Sequence, residues 1–87
     1  MLIIYPSKKF EKSYKQLPKQ IKIKAKQKDL IFRKNPFDSR LKTHKLQGKL
    51  RGFLSFSIGY KYRIIFEFAK KEDVVYFHSV GDHDIYE

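Results

Sequence analysis

The sequence predicts an α+β domain of order β-α-α-β-β-β, an antiparallel sheet covered on one face by a helical hairpin. Three observations carry that prediction. Leu50 to Val80 is dense in Phe, Tyr, Ile and Val, spaced by Ser, Gly and charged residues as strands are. That stretch is broken twice, at Gly59 and at Lys70-Lys71-Glu72-Asp73, which divides it into three strands joined by two hairpins. Ahead of it, a basic segment carries apolar residues at helical spacing on both sides of Leu17-Pro18.

Leu2 to Tyr5 reads as a short strand, apolar on both faces, that Pro6 ends. Ser7 is placed to cap a helix, because its hydroxyl accepts from a free N–H of the first turn. Phe10, Tyr14 and Leu17 then form one helical face, with Lys8, Lys9, Lys12 and Lys15 on the others. Pro18 suits the first turn of a second helix, predicted from Pro18 to Lys34. Its apolar stripes are Ile21, Ala25 and Phe32, with Ile23, Leu30 and Ile31 beside them. Asn35-Pro36 stops it, since the residue before a proline avoids the helical region. Phe37 to Gln47 shows no period and reads as a loop.

In the first sheet strand Leu54, Phe56 and Ile58 alternate with Phe53, Ser55 and Ser57. In the second, Tyr62, Ile64, Phe66 and Phe68 oppose Lys61, Arg63, Ile65 and Glu67. In the third, Val74, Tyr76, His78 and Val80 oppose Val75, Phe77 and Ser79. The helices take one sheet face, and the face with Arg63 is expected to lie open to solvent.

Residues 1–87 are expected to form a single domain with a modest core. Without cysteine there is no disulfide and no thiolate metal site. No apolar run approaches the roughly 20 residues that span a bilayer, so a cytoplasmic protein with no membrane association is expected. The net charge of +11 is the strongest global signal. Lys8 to Lys34 holds eleven basic residues against Glu11 and Asp29, and Arg40 to Arg51 adds five with no acid. Such a polycation points to nucleic acid or an acidic protein partner; a merely solubilising lysine surface is the bland alternative.

The three histidines, His44, His78 and His83, have no metal-ligand spacing, the carboxylates cluster in turns and the tail, and no glycine-rich loop precedes a helix. No metal or cofactor is expected. His, Arg, Lys and Tyr around a sheet remain, and these types suit RNA cleavage. A base takes the 2′-OH proton, an acid protonates the leaving 5′-oxygen, and cations stabilise charge building on phosphorus. Arg63 is a fixed cation in mid-strand, unless Glu67 on the same face pairs with it. His83 follows the last strand, and His44 lies in the basic loop THKLQGKLRG. His78 shares its predicted face with valines and reads as structural. Tyr86 either stacks on a base or anchors the tail, while Tyr60 and Tyr62 read as packing residues.

The segments HKLQGKLRG, SIGYKYRIIFEF and VVYFHSVGDHDIY resemble the RelE/ParE toxin superfamily, most closely its RelE and YafQ-like mRNA interferases. The shared features are Leu46 to Gly48, the pair Tyr62-Arg63, and Gly81 to His83. The resemblance spans essentially the whole chain and implies the RelE-like microbial RNase fold. It implies a toxin of a type II toxin–antitoxin pair that inhibits translation as a metal-independent, ribosome-dependent mRNA endonuclease leaving a 2′,3′-cyclic phosphate. Arg63 matches a strand arginine that contacts the scissile phosphate. His83 and His44 match histidines of YafQ-like proteins, and Tyr86 a C-terminal tyrosine of RelE-like ones. Lys45, Lys49, Arg51 and Lys61 are the expected RNA contacts beside them. YafQ-like proteins carry a further histidine and an aspartate where this chain has Ser57 and Lys61, and RelE has lysines where it has Ser55, Phe56 and Ser57. The general base therefore falls to His44 or His83, or the nuclease is weak. The implied partners are a cognate antitoxin in a hetero-oligomer, mRNA and the ribosomal RNA. The alternative is a ParE-like inhibitor of DNA gyrase, or a degenerate toxin that only binds its antitoxin.

Overall fold

The chain enters through a short strand and a capped helix, as its first residues predict. The structure, a computed structural model, describes residues 2–71 and 73–82. Strand β1 (Ile3–Pro6) leads to helix α1 (Lys8–Lys15) and helix α2 (Lys19–Lys34). A 3₁₀ turn (Ser39–Leu41), the two-residue strand β2 (His44–Lys45) and a second 3₁₀ turn (Gly48–Leu50) follow. Strands β3 (Leu54–Ile58), β4 (Tyr62–Phe68) and β5 (Val74–Gly81) complete the sheet.

Ser7 does two jobs at the first helix. Its Oγ accepts from the Phe10 N–H at 2.9 Å and donates to the His78 carbonyl at 2.7 Å. The cap thus satisfies an orphan donor and also fastens α1 to β5. Pro18 takes the cap position of α2, one residue ahead of the helix.

The helices cover one face of the sheet over an aromatic core. Phe32 is fully buried, with ring centroids 4.7 Å from Phe56, 4.9 Å from Phe66 and 5.5 Å from Phe77. Ala25 is buried with it, and Ile21 and Ile31 pack at the margin. Ile23 and Leu30 depart from the predicted stripe, at 51% and 66% exposed, because they project beside the sheet-facing arc of α2.

The sheet order is β1-β5-β4-β3-β2. It corrects the sequence reading in four places. It has five strands, because β2 lies within the predicted loop; two residues are too few to show a period. It is not wholly antiparallel, since β1 joins β5 in parallel, with Ile3 opposite Val74 and Tyr5 opposite Tyr76. The helices and later strands supply the long connection that parallel pairing needs.

The third correction is a β-bulge. Ile65 pairs with Ser79 and Phe66 with Phe77, so His78 is an extra residue on β5. Alternation slips there by one. Val80 therefore joins Val75 and Phe77 in the core under the helices, leaving the set in which the sequence placed it. The fourth concerns the face away from the helices. It does carry Arg63, but its middle is not open: Ser55, Ile65 and Ser79, in one cross-strand row, are buried. The Phe53 and His78 rings, 5.0 Å apart, approach one another across β4 and close that part of the face. No helix among the described residues is long and apolar enough to cross a membrane.

Candidate functional site

The β3–β4 hairpin turns tightly at Gly59, whose φ of 65° suits glycine. Tyr60 at its tip is 96% exposed. Tyr60 is therefore not a packing residue; Tyr62 is, since it lies half-buried against the core. Arg63 follows on β4, opposite Ser57 of β3 and Gly81 of β5. Its Nη1 donates to the carbonyls of Tyr62 at 3.0 Å and Tyr60 at 3.4 Å. No carboxylate among the described residues pairs with it, so the pairing with Glu67 that the sequence allowed does not form. Carbonyls orient the guanidinium and leave its charge in place. Arg63, Ser57, Gly59, Tyr60 and Lys42 line a hollow of about 500 Å³.

Lys42 is a residue the sequence reading did not select. It ends the first 3₁₀ turn in the left-handed conformation, φ 53° and ψ 41°. That conformation turns its carbonyl toward His44, whose Nδ1 lies 3.1 Å away. A carbonyl only accepts, so Nδ1 carries the hydrogen and the neutral ring keeps a lone pair on Nε2. Nε2 faces the Ser55 hydroxyl at 3.5 Å. His44 is exposed and opposite Ser55 in register, so it shares the face of Arg63. One strand and a two-residue offset separate them, which puts their Cα atoms roughly 12 Å apart. The buried serines Ser55 and Ser57 make a flat floor between the two.

The other selected cations are spread. Lys45 lies opposite Leu54, whose side chain is in the core, so it points away from His44. With Arg51 it lines a second hollow, of about 680 Å³, around the second 3₁₀ turn. Lys49 is exposed in that turn and Lys61 beside the hairpin tip. His83 and Tyr86 lie outside the described residues. Among the described residues no three His or acidic side chains gather where they could hold a metal ion.

Asp38 is the one carboxylate near this segment with a marked shift. Hydrogen bonds from the Arg40 side chain and backbone lower it from 3.8 to about 2. Arg40 is raised by the same contact, and its Nη2 lies 2.9 Å from Asp38 Oδ2. The pair closes the turn that presents Lys42 and His44.

No protein-family model matches the sequence, and no curated protein matches it. Solved structures do match the fold. YafQ from E. coli is 21% identical, with 99% of this chain and 98% of that one covered at a TM-score of 0.71. The archaeal RelE of the RelE–RelB complex from Pyrococcus horikoshii is 20% identical, with 93% of each chain covered and a TM-score of 0.74. The chain has the RelE/ParE toxin fold. A third toxin of that fold, from the YoeB–YefM complex of Staphylococcus aureus, is 22% identical, with 95% and 98% covered and a TM-score of 0.75. Within the RelE/ParE fold Arg63 and His44 share the helix-free face of the sheet.

Proposed function

We propose that the protein is the toxin of a toxin–antitoxin pair and cleaves mRNA on the ribosome. One observation carries this reading above the others. Arg63 is fixed by carbonyls and, among the described residues, free of carboxylates, on the sheet face where His44 is held with Nε2 as its acceptor. RNA laid between them places a phosphate at Arg63 and a ribose hydroxyl toward His44. His44 Nε2 takes the 2′-OH proton, the oxygen bonds to its own 3′-phosphorus, and the bond to the 5′-oxygen breaks. Arg63 and Lys42 stabilise the charge that builds on the phosphoryl oxygens. His83 is the group assigned to protonate the leaving oxygen. The products are a 2′,3′-cyclic phosphate and a 5′-hydroxyl, and the reaction needs no metal. The small residues Ser55 and Ser57, where relatives carry ionisable groups, put the burden of the base on His44.

Structures of this fold solved as YoeB–YefM and RelE–RelB complexes support an antitoxin partner for this chain. Its excess of positive charge fits an acidic segment lying over the site. The test is mRNA cleavage on purified ribosomes by the wild type, Arg63→Ala, His44→Ala and His83→Ala. Losses of about 10²-fold or more are expected in the variants. Full activity in Arg63→Ala and His44→Ala sinks the assignment of the site. A wild type that leaves mRNA intact and inhibits gyrase supercoiling replaces the nuclease by a ParE-like inhibitor.

A further inference from the structure

The sheet face of His44 and Arg63 continues toward β1, and there it is aromatic. Tyr5 and Tyr76 lie opposite one another on β1 and β5. They are 54% and 44% exposed, with ring centroids 6.1 Å apart and planes tilted by 35°. The bulge in β5 sets His78 on the same face, beside Phe53 at 36° of tilt. Neither tyrosine belongs to the core under the helices. Four rings thus lead from the β1 edge to the row of Ser55, where His44 begins.

Charge beside the rings suggests what they take. Lys70 and Lys71 are exposed in the β4–β5 turn and, with Glu67 and Tyr76, line a hollow of about 490 Å³. Glu67 lies opposite Tyr76 in register. A carboxylate repels phosphate, so an RNA strand on this face runs its backbone along the lysines and turns its bases inward. Glu67 is placed there as an acceptor for base amino groups. Exposed rings flanked by cations are the platform that single-stranded nucleic acid uses, since every base has a face to stack.

We propose that Tyr5, Tyr76, His78 and Phe53 form a stacking track that binds the single-stranded RNA flanking the bond cut between Arg63 and His44. The proposal rests on the nuclease reading for the position of the cut, and its test does not require cutting. Binding of the whole protein to a 2′-O-methyl RNA of about twelve nucleotides, which has no attacking hydroxyl, is measured by fluorescence anisotropy. Tyr76→Ala and Tyr5→Ala should each weaken binding about tenfold, and Tyr76→Phe, which keeps the ring, should not. All three sit at the surface, and circular dichroism checks that they fold. Unchanged affinity in Tyr76→Ala overturns the track, as does an equal loss in Tyr76→Phe. Unchanged RNA affinity with weakened binding of the acidic partner makes the face a protein interface, and overturns it too. Wild-type protein that binds through the tyrosines but leaves mRNA intact on purified ribosomes upholds the track and removes the nuclease reading.

Discussion

Among the described residues, Arg63 is held by carbonyl oxygens, which orient it without neutralising it. That arrangement distinguishes a guanidinium from an ammonium. An arginine can spend one nitrogen, here Nη1, on carbonyls and still present the planar fork of Nε and Nη2 to a phosphate, for which lysine has no equivalent. Arg63→Lys should therefore restore little of the cleavage lost in Arg63→Ala, as single-turnover assays on ribosomes would measure. Lys42 separates charge from backbone in another way. Its left-handed conformation costs a side-chain-bearing residue about 1–2 kcal/mol. Lys42→Gly relieves that cost and pays about 0.5–1 kcal/mol in backbone entropy. Urea denaturation should find the variant as stable as the parent or up to about 1.5 kcal/mol more so. Its cleavage should fall, because the cation is gone while the carbonyl that orients His44 remains. Arg63 was legible in the sequence because a strand places its side chain by simple alternation. Lys42 was not, because a left-handed residue other than glycine or asparagine carries no signal in its letter.

At the scale of elements, short-range chemistry was legible and sheet irregularity was not. Ser7, Pro18 and Asn35-Pro36 mark helix ends through local hydrogen bonding and sterics, and the helices begin and end beside them. The bulge at His78 has no such mark, and it moved Val80 from one face to the other. β2 is too short for a pattern, and β1 is apolar on both faces, which leaves its direction open. Ser7 also holds α1 to β5 through the His78 carbonyl, next to that bulge. Ser7→Ala should cost more than a simple cap, about 2 kcal/mol, because two hydrogen bonds go together. Thermal or chemical unfolding measures this. The turn before β2 gives a pH prediction. Folding lowers the Asp38 carboxyl from 3.8 to about 2, chiefly through the Arg40 side chain. Its contribution is therefore complete above 3.8 and disappears as pH falls through about 2. A carboxyl-carbon NMR titration should show that midpoint, and Arg40→Ala should return it toward the ordinary value.

For the whole molecule, the charge of +11 predicts attraction to RNA without saying which cations touch it. The structure divides them. Arg40 is committed to Asp38 by two side-chain hydrogen bonds, from Nε at 3.0 Å and Nη2 at 2.9 Å. Arg51 is exposed, has no acidic partner among the described residues, and lines a hollow with Lys45. Each phosphate contact to a single strand releases counterions and adds about 0.7 to the slope of log affinity against log salt. Arg51→Ala should therefore reduce the slope for single-stranded RNA by about 0.7, and Arg40→Ala should leave it near that of the parent. Anisotropy titrations across a range of salt concentrations measure both. An equal fall in the two variants would mean that RNA breaks the Asp38–Arg40 pair to recruit Arg40. Binding would then disturb the turn that presents Lys42 and His44, and affinity and cleavage would share one element.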